Sequence, residues 1–398
     1  MDLPSPSRRR LLCAACALPL AACGGDAGPK APPLPVGPVA TLGTFTSGLN
    51  FPWGMVFLPD GRLLVTERGG SLRLVSADGQ SVSSVAVSFP GGFVAAGQGG
   101  LLDVALDPDF SAGQPWVYLT YSQPGLGGSG TAVMRGQLDV ASPNALTNGV
   151  EIFQQLPKVG GDGHYGSRLV FADDKTLFVT LGERQQGSPA QDLSSLLGKV
   201  VRINRDGTIP ADNPTFGVPS SAGIWTYGHR NPQGAALHPT TKQLWVGEHG
   251  PQGGDEINLA LAGRNFGWPN VSYGCDYGAS YPDDDNTICR IGGGVHAPAY
   301  TEPLTYWVPT SIAPSGMMFY TGSMFPEWQG NLFIGALGAG APGTRSLWRL
   351  TVSDSAVTAR ERVLPADIDV RIRDVAQGPD GAIYFAEETN GRIMRIAR

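Results

Sequence analysis

Charge is scarce in this chain, and basic charge is scarcer still. Only 16% of the 398 residues are charged, with 28 Lys and Arg against 34 Asp and Glu, for a net charge of -6. A nucleic-acid partner needs a basic face, so this balance argues against one. Sustained helical periodicity is also missing beyond the N-terminal segment, which leaves strands to carry the fold. The apolar run near the N-terminus is too short to span a bilayer stably. Cysteine is rare: of five, Cys13, Cys16 and Cys23 lie in the N-terminal segment, and only Cys275 and Cys289 remain in the body.

What the chain does have is glycine, 56 residues, and proline, 33. With many short apolar runs between them, this composition means many turns and many short strands. Length alone suggests two or three domains, yet β-rich folds of this size also form single units.

The N-terminus reads as a targeting segment. Ser7-Arg8-Arg9-Arg10-Leu11-Leu12 resembles a twin-arginine export signal, and Leu20-Ala21-Ala22-Cys23 resembles the lipobox of bacterial lipoproteins. On that reading Cys23 is lipidated and becomes the mature N-terminus, on the periplasmic face of the membrane; the alternative is an ordinary cleaved signal. Residues 24–42 are a Pro/Gly-rich tether. In an oxidising periplasm Cys275 and Cys289 are expected to form a disulfide, the alternative being two exposed thiols.

Six stretches share one pattern of apolar strand, tight turn and apolar strand. They begin at Trp53, Leu101, Ser167, Pro232, Ser315 and Asp374. Turns such as Pro59-Asp60-Gly61 and Asp107-Pro108-Asp109 supply the hairpin geometry. A hairpin cannot bury its apolar faces alone, so repeated sheets must pack on one another. Residues 43–398 are therefore expected to form one all-β domain, a six-bladed β-propeller, with paired β-sandwiches as the alternative. Loops at one end of a propeller converge on its axis, so a site there draws on several blades.

Polar residues gather where one repeat passes into the next. His164 sits in a glycine-flanked loop before an apolar strand and suits a general base, or is a surface turn residue. Arg371 and Arg373 alternate with Val370, Ile372 and Val375, which places both guanidiniums on one strand face. They can pair with acidic side chains or receive a carboxylate ligand. The stretch from Glu248 to Asn258 mixes glycines, a proline and acids; its carbonyls suit a hard cation such as calcium, but EF-hand spacing is absent, and a solvated acidic turn is the default reading.

Taken together, the motifs resemble those of the soluble pyrroloquinoline quinone (PQQ)-dependent glucose dehydrogenase and aldose sugar dehydrogenase family. The segments that carry the resemblance are "GQGGLLDVALDP", "HYGSRLVF", "LGKVVRINRDGTIPADNP", "YGHRNPQG", "EHGPQGGDEINLALAGRNFGWP", "YWVPTSIAPSGMMFY" and "RIRDVAQGPDG". They occur in the family's order over nearly all the chain after residue 45, and short insertions resemble the aldose sugar dehydrogenase branch.

The resemblance implies a six-bladed propeller that oxidises aldoses at the anomeric carbon to aldonolactones, with PQQ and calcium and an external electron acceptor, as a monomer or homodimer. It assigns His164 as the base, oriented by Glu183. Gln98, Arg230 and Asn231 contact the quinone, with Tyr277 and Ala313-Pro314-Ser315 nearby. Trp307 covers the ring, and Arg371 and Arg373 meet the cofactor's carboxylates. The carbonyls of Gly250 and Pro251 hold the catalytic calcium; Glu256 and the Phe266 carbonyl serve a second, structural calcium. Many relatives carry a lysine after the "GAL" strand; this chain has none there, and Arg345 is the candidate substitute. A calcium-dependent propeller lactonase and a non-catalytic propeller binding module are the rival readings.

Overall fold

The computed structural model describes residues 40–280, 287–338, 343–353, 355–365 and 367–398. The expected signal, the Cys23 lipidation site and most of the tether lie outside them. Among the described residues the strands form six four-stranded antiparallel sheets. Their innermost strands are Pro52–Phe57, Leu101–Leu106, Gly166–Phe171, Pro232–Leu237, Pro314–Phe319 and Ile372–Gln377. These pack one against the next, and the first packs against the last, so the sheets are the six blades of a closed propeller. Each sequence repeat is the inner hairpin of one blade.

Five blades use four consecutive strands. The sixth takes Ile372–Gln377, Ile383–Glu387 and Arg392–Ala397 from the C-terminal end and Thr41–Thr46 from the start. Thr41 pairs with Ala397 and Thr44 with Met394, so the first strand closes the ring. That strand begins two residues before the boundary expected from composition.

Second strands such as Leu63–Glu67 and Leu177–Leu181 are buried along their whole length. They lie between neighbouring blades, which explains their continuous apolar runs. A buried threonine stitches the first four blades. The Thr120 hydroxyl accepts from Asp103 N (2.8 Å) and donates to Ser167 O of the next blade (2.8 Å). Thr180 does the same between Arg168 N (2.9 Å) and Pro232 O (2.8 Å), and Thr66 links Gly54 to Leu102.

Because paired strands run antiparallel, the start of each inner strand and the end of the second strand lie at the same end of the blade. Every sequence-predicted catalytic residue falls at one of those two places, so the fold collects them at one mouth of the axis.

Candidate active site

His164 precedes the inner strand of blade 3, and Glu183 follows its second strand. His164 Nδ1 lies 2.7 Å from Glu183 Oε1. The other carboxylate oxygen accepts from Gln186 N (2.5 Å) and Gly187 N (3.2 Å). Both oxygens thus face donors, which fixes the proton on Nδ1 and leaves the Nε2 lone pair free of any partner among the described residues. Burial lowers the His164 pKa, and the Arg230 charge lowers it further against the pull of Glu183. The ring is therefore neutral at neutral pH. His164 has φ 51°, an unfavourable left-handed backbone for a non-glycine residue. Gln98, itself exposed, accepts the His164 backbone N–H (2.8 Å).

Blade 4 repeats the pair. His229 Nδ1 lies 2.9 Å from Glu248 Oε1, at the same 19-residue separation as His164 and Glu183. Here Nε2 is taken by Thr226 Oγ1 (2.8 Å), and His229 is 0% exposed. The second dyad is a structural brace. Its carboxylate also accepts Arg230 N (2.7 Å).

Arg230 and Asn231 lead into the inner strand of blade 4. Arg230 Nη1 donates to His249 O (3.2 Å) and Nη2 to the Tyr277 hydroxyl (3.0 Å). Its Nε is buried without a partner, and among the described residues no carboxylate forms an ion pair with it. Trp268, which the sequence reading missed, lies with its ring 5.2 Å from the guanidinium. Asn231 Oδ1 accepts Gly166 N (3.1 Å), which orients the amide and leaves a buried Nδ2 unpartnered. Two unsatisfied donors, one of them a bare cation, sit beside a neutral base. That donor set fits an anionic or carbonyl-bearing ligand.

Arg371 and Arg373 find an acidic partner that the sequence reading missed. Glu388 Oε2 receives Arg371 Nε (2.9 Å), and Oε1 receives Arg373 Nη2 (2.6 Å). Burial opposes ionisation of Glu388, but the two arginines overcome it and hold its pKa at about 2. One carboxylate against two guanidiniums leaves one positive charge at the mouth. Arg371 Nη1 also donates to Leu337 O (2.8 Å), at the end of the "GAL" strand. Arg345 points to Asp369 (3.9 Å), half exposed.

Trp307 and Ser315, two further expected contacts, are both buried. Trp307 is 6% exposed and packs in the inter-blade core with Ile257, Ile312 and Met317. It ends the edge strand Thr305–Trp307. Ser315 is fully buried, and its hydroxyl donates to Arg373 O (2.8 Å). Pro314 contributes its carbonyl, which accepts His249 Nε2 (2.9 Å). That bond fixes the proton of His249 on Nε2. Burial first, then the charges of Arg230 and Arg373, hold the His249 pKa well below the usual histidine range, so it too stays neutral.

Gly250 and Pro251 follow His249 in a buried turn, and among the described residues neither carbonyl accepts a hydrogen bond. Such unpaired oxygens fit a hard cation. Asp255 fixes the turn: it accepts Gly250 N (2.9 Å), Ser311 Oγ (2.5 Å), Ile312 N (2.6 Å) and Ala313 N (2.7 Å). Alongside lies a cavity of ≈ 10 Å³ lined by Glu248, Glu256, Phe266, Ser272 and His296, room for about one water-sized occupant. Burial first, then the Glu248 charge, push the Glu256 pKa well above the carboxylate range. A cation in this cavity would relieve both. No group of three or more His, Cys, Asp or Glu among the described residues is arranged to hold a metal. Cys275 and Cys289 are joined in a disulfide, with Cα atoms 5.2 Å apart.

A neutral histidine–carboxylate dyad beside an uncompensated arginine, at the mouth of a closed propeller, is the equipment of a propeller oxidoreductase. Comparison with known proteins agrees: the glucose/sorbosone dehydrogenase family model matches residues 49–395, and the chain belongs to that family. It is 42% identical over 354 residues to the aldose sugar dehydrogenase YliI of Escherichia coli (strain K12), covering 88% of this chain and 90% of that protein. It is 29% identical over 419 residues to the quinoprotein glucose dehydrogenase B of Acinetobacter calcoaceticus, covering 88% and 85%. Among solved structures, the PQQ-bound aldose sugar dehydrogenase of Streptomyces coelicolor superposes with a TM-score of 0.71 at 27% identity, covering 90% of this chain and 98% of that one. The family and the six-bladed fold read from the motifs are borne out.

Proposed function

We propose that the protein is a PQQ-dependent aldose sugar dehydrogenase that oxidises the anomeric carbon of an aldose to the aldonolactone. One observation carries this reading. His164 Nε2 has no partner among the described residues, the Arg230 charge acts on that ring, and Arg230 Nε and Asn231 Nδ2 are buried without partners. Oxidising a hemiacetal requires loss of a proton and a hydride. His164, held neutral and in one tautomer by Glu183, takes the hydroxyl proton at Nε2. PQQ, when bound, would supply the hydride acceptor, and calcium would polarise it.

Arg230 and Asn231 would bind the quinone's polar edge, with the arginine set to stabilise negative charge on an oxygen. Arg371 and Arg373, left with one net positive charge by Glu388, would hold its carboxylates. The Gly250 and Pro251 carbonyls would hold the calcium; Glu256 and the Phe266 carbonyl would hold a second. Gln98 supports the His164 backbone, and Tyr277, 73% exposed beside Arg230, would sit at the rim. An external acceptor would reoxidise the cofactor. The reading extends to export and a lipid anchor at Cys23; among the described residues no helix is long and apolar enough to cross a membrane. The lactonase alternative needs carboxylates converging on one metal, and the described residues offer no such cluster.

The test is a reconstitution. Apoprotein given PQQ and calcium should bind the quinone and reduce a dye when aldoses are added. Absence of both quinone binding and sugar-dependent reduction would sink the proposal.

A further inference from the structure

The six inner strands present one equivalent position each to the axis, just below the mouth. Strand registers identify these as Gly54, Asp103, Arg168, Gly234, Gly316 and Asp374. Three glycines, two aspartates and one arginine thus form a single layer. Arg168 Nη1 lies 3.0 Å from Asp103 Oδ1 and 3.0 Å from Asp374 Oδ1. The glycines make room: a Cβ on Gly316 would sit 1.9 Å from Asp374 Oδ1, and one on Gly54 would sit 2.7 Å from Asp103 Oδ1.

The same guanidinium reaches upward. Its Nη2 donates to Arg373 O (2.6 Å) and its Nε to Gln233 O (2.7 Å). Arg373 Nη1 in turn donates to Gln233 Oε1 (2.6 Å). Gln233 follows Arg230 and Asn231 by a few residues, and Arg373 is itself at the mouth. Arg168 also lies 4.1 Å from the Trp53 ring, against which Arg373 packs at 5.7 Å. One fork therefore spans four blades and fixes the two strands that carry all the arginines of the site. A lysine cannot do this, because it lacks the planar set of donors.

We propose that the Asp103–Arg168–Asp374 triad is a positioning device for the floor of the site, setting the height of the Arg230–Asn231 and Arg371–Arg373 segments for an anionic ligand. The inference rests on the proposed quinone site.

The device has a pH signature. Asp374 faces Arg168 and Asp103 across the axis and Met55 N from blade 1, with the Arg371, Arg373 and Glu388 cluster above it. Burial raises its pKa to about 7, against the pull of Arg168, and raises that of Asp103 as well. As pH rises through this range the layer gains negative charge beneath the site, and an anionic ligand is held less tightly.

The experiment is titration of calcium-loaded apoprotein with PQQ, following quinone binding optically from about pH 6 to about pH 8, with unfolding of each apoprotein as a control. Arg168→Lys should weaken quinone binding by about ten- to a hundredfold, the usual cost of removing a group that orients ligand-holding residues. Quinone affinity should suffer more than kcat at saturating quinone. Asp374→Asn should flatten the wild-type decline of affinity with pH. Folded Arg168→Lys with wild-type affinity overturns the proposal. If Arg168→Lys fails to fold, Asp374→Asn decides: a pH profile identical to wild type overturns it. Wild-type protein that binds no quinone overturns the proposed function instead.

Discussion

Glu183→Gln is a sharper test of the base than removal of the base itself. In the wild type one carboxylate oxygen meets His164 Nδ1 at 2.7 Å, and the other accepts two backbone N–H groups, Gln186 and Gly187. A glutamine has one acceptor and one donor end. If its oxygen faced His164, its NH₂ would oppose two backbone donors. The amide therefore turns its oxygen to the backbone and its NH₂ to His164. Nδ1 must then accept, which moves the imidazole proton to Nε2 and occupies the lone pair that takes the sugar's proton. A histidine locked in the wrong tautomer loses about 10³–10⁴-fold in kcat, or about 4–5.5 kcal/mol of barrier. Glu183→Ala imposes no tautomer and should lose less. The assay is dye-linked sugar oxidation at saturating PQQ and calcium, with quinone affinity measured separately. The tautomer argument fails if Glu183→Gln keeps activity within about tenfold of wild type, or if Glu183→Ala is much the worse of the two.

Three further outcomes are expected. The base must be deprotonated to act, and the His164 pKa is lowered, so the acid limb of kcat/KM against pH should lie below the ordinary histidine value of 6.5; a limb above it would contradict the burial of the ring. Thr180→Val orphans Arg168 N and Pro232 O in the core, at about 2–5 kcal/mol of stability; a denaturation midpoint equal to wild type would show that the stitch between blades contributes nothing. The raised pKa of Glu256 means that its contribution to stability is present at low pH and is lost as pH rises through the folded value. Added calcium should therefore raise Tm more in alkaline than in acidic buffer, and Glu256→Gln should abolish that difference; a pH-independent calcium effect would place the ion elsewhere.

The blades were legible because each inner hairpin carries its own apolar strands and turn. The closing strand was not, since Thr41–Thr46 pairs with residues some 350 positions away and its own sequence, "TLGTFT", is half polar. His164, Arg230 and Asn231 could be placed because they sit in glycine-flanked loops before inner strands. The burial of Trp307 was not legible, because a three-residue edge strand does not reveal its register, and a shift of one residue exchanges the faces. Glu388 had a signal that went unread: an acid recurs at the end of second strands, as Glu67, Glu183, Glu248 and Glu387–Glu388. The axial layer was invisible for a different reason. Its six residues are scattered from Gly54 to Asp374, and only the strand registers show that they share one level.

Ring closure also imposes an order of events on the chain. Arg392–Ala397 is synthesised after every other strand described, and it is the partner that Thr41–Thr46 requires. Until it arrives the first strand has no ladder, and the stack of blades has two open edges able to pair with other chains. Loss of Arg392–Ala397 is therefore not simple fraying. It removes the latch, and a nascent or truncated chain should aggregate even with all six inner hairpins present.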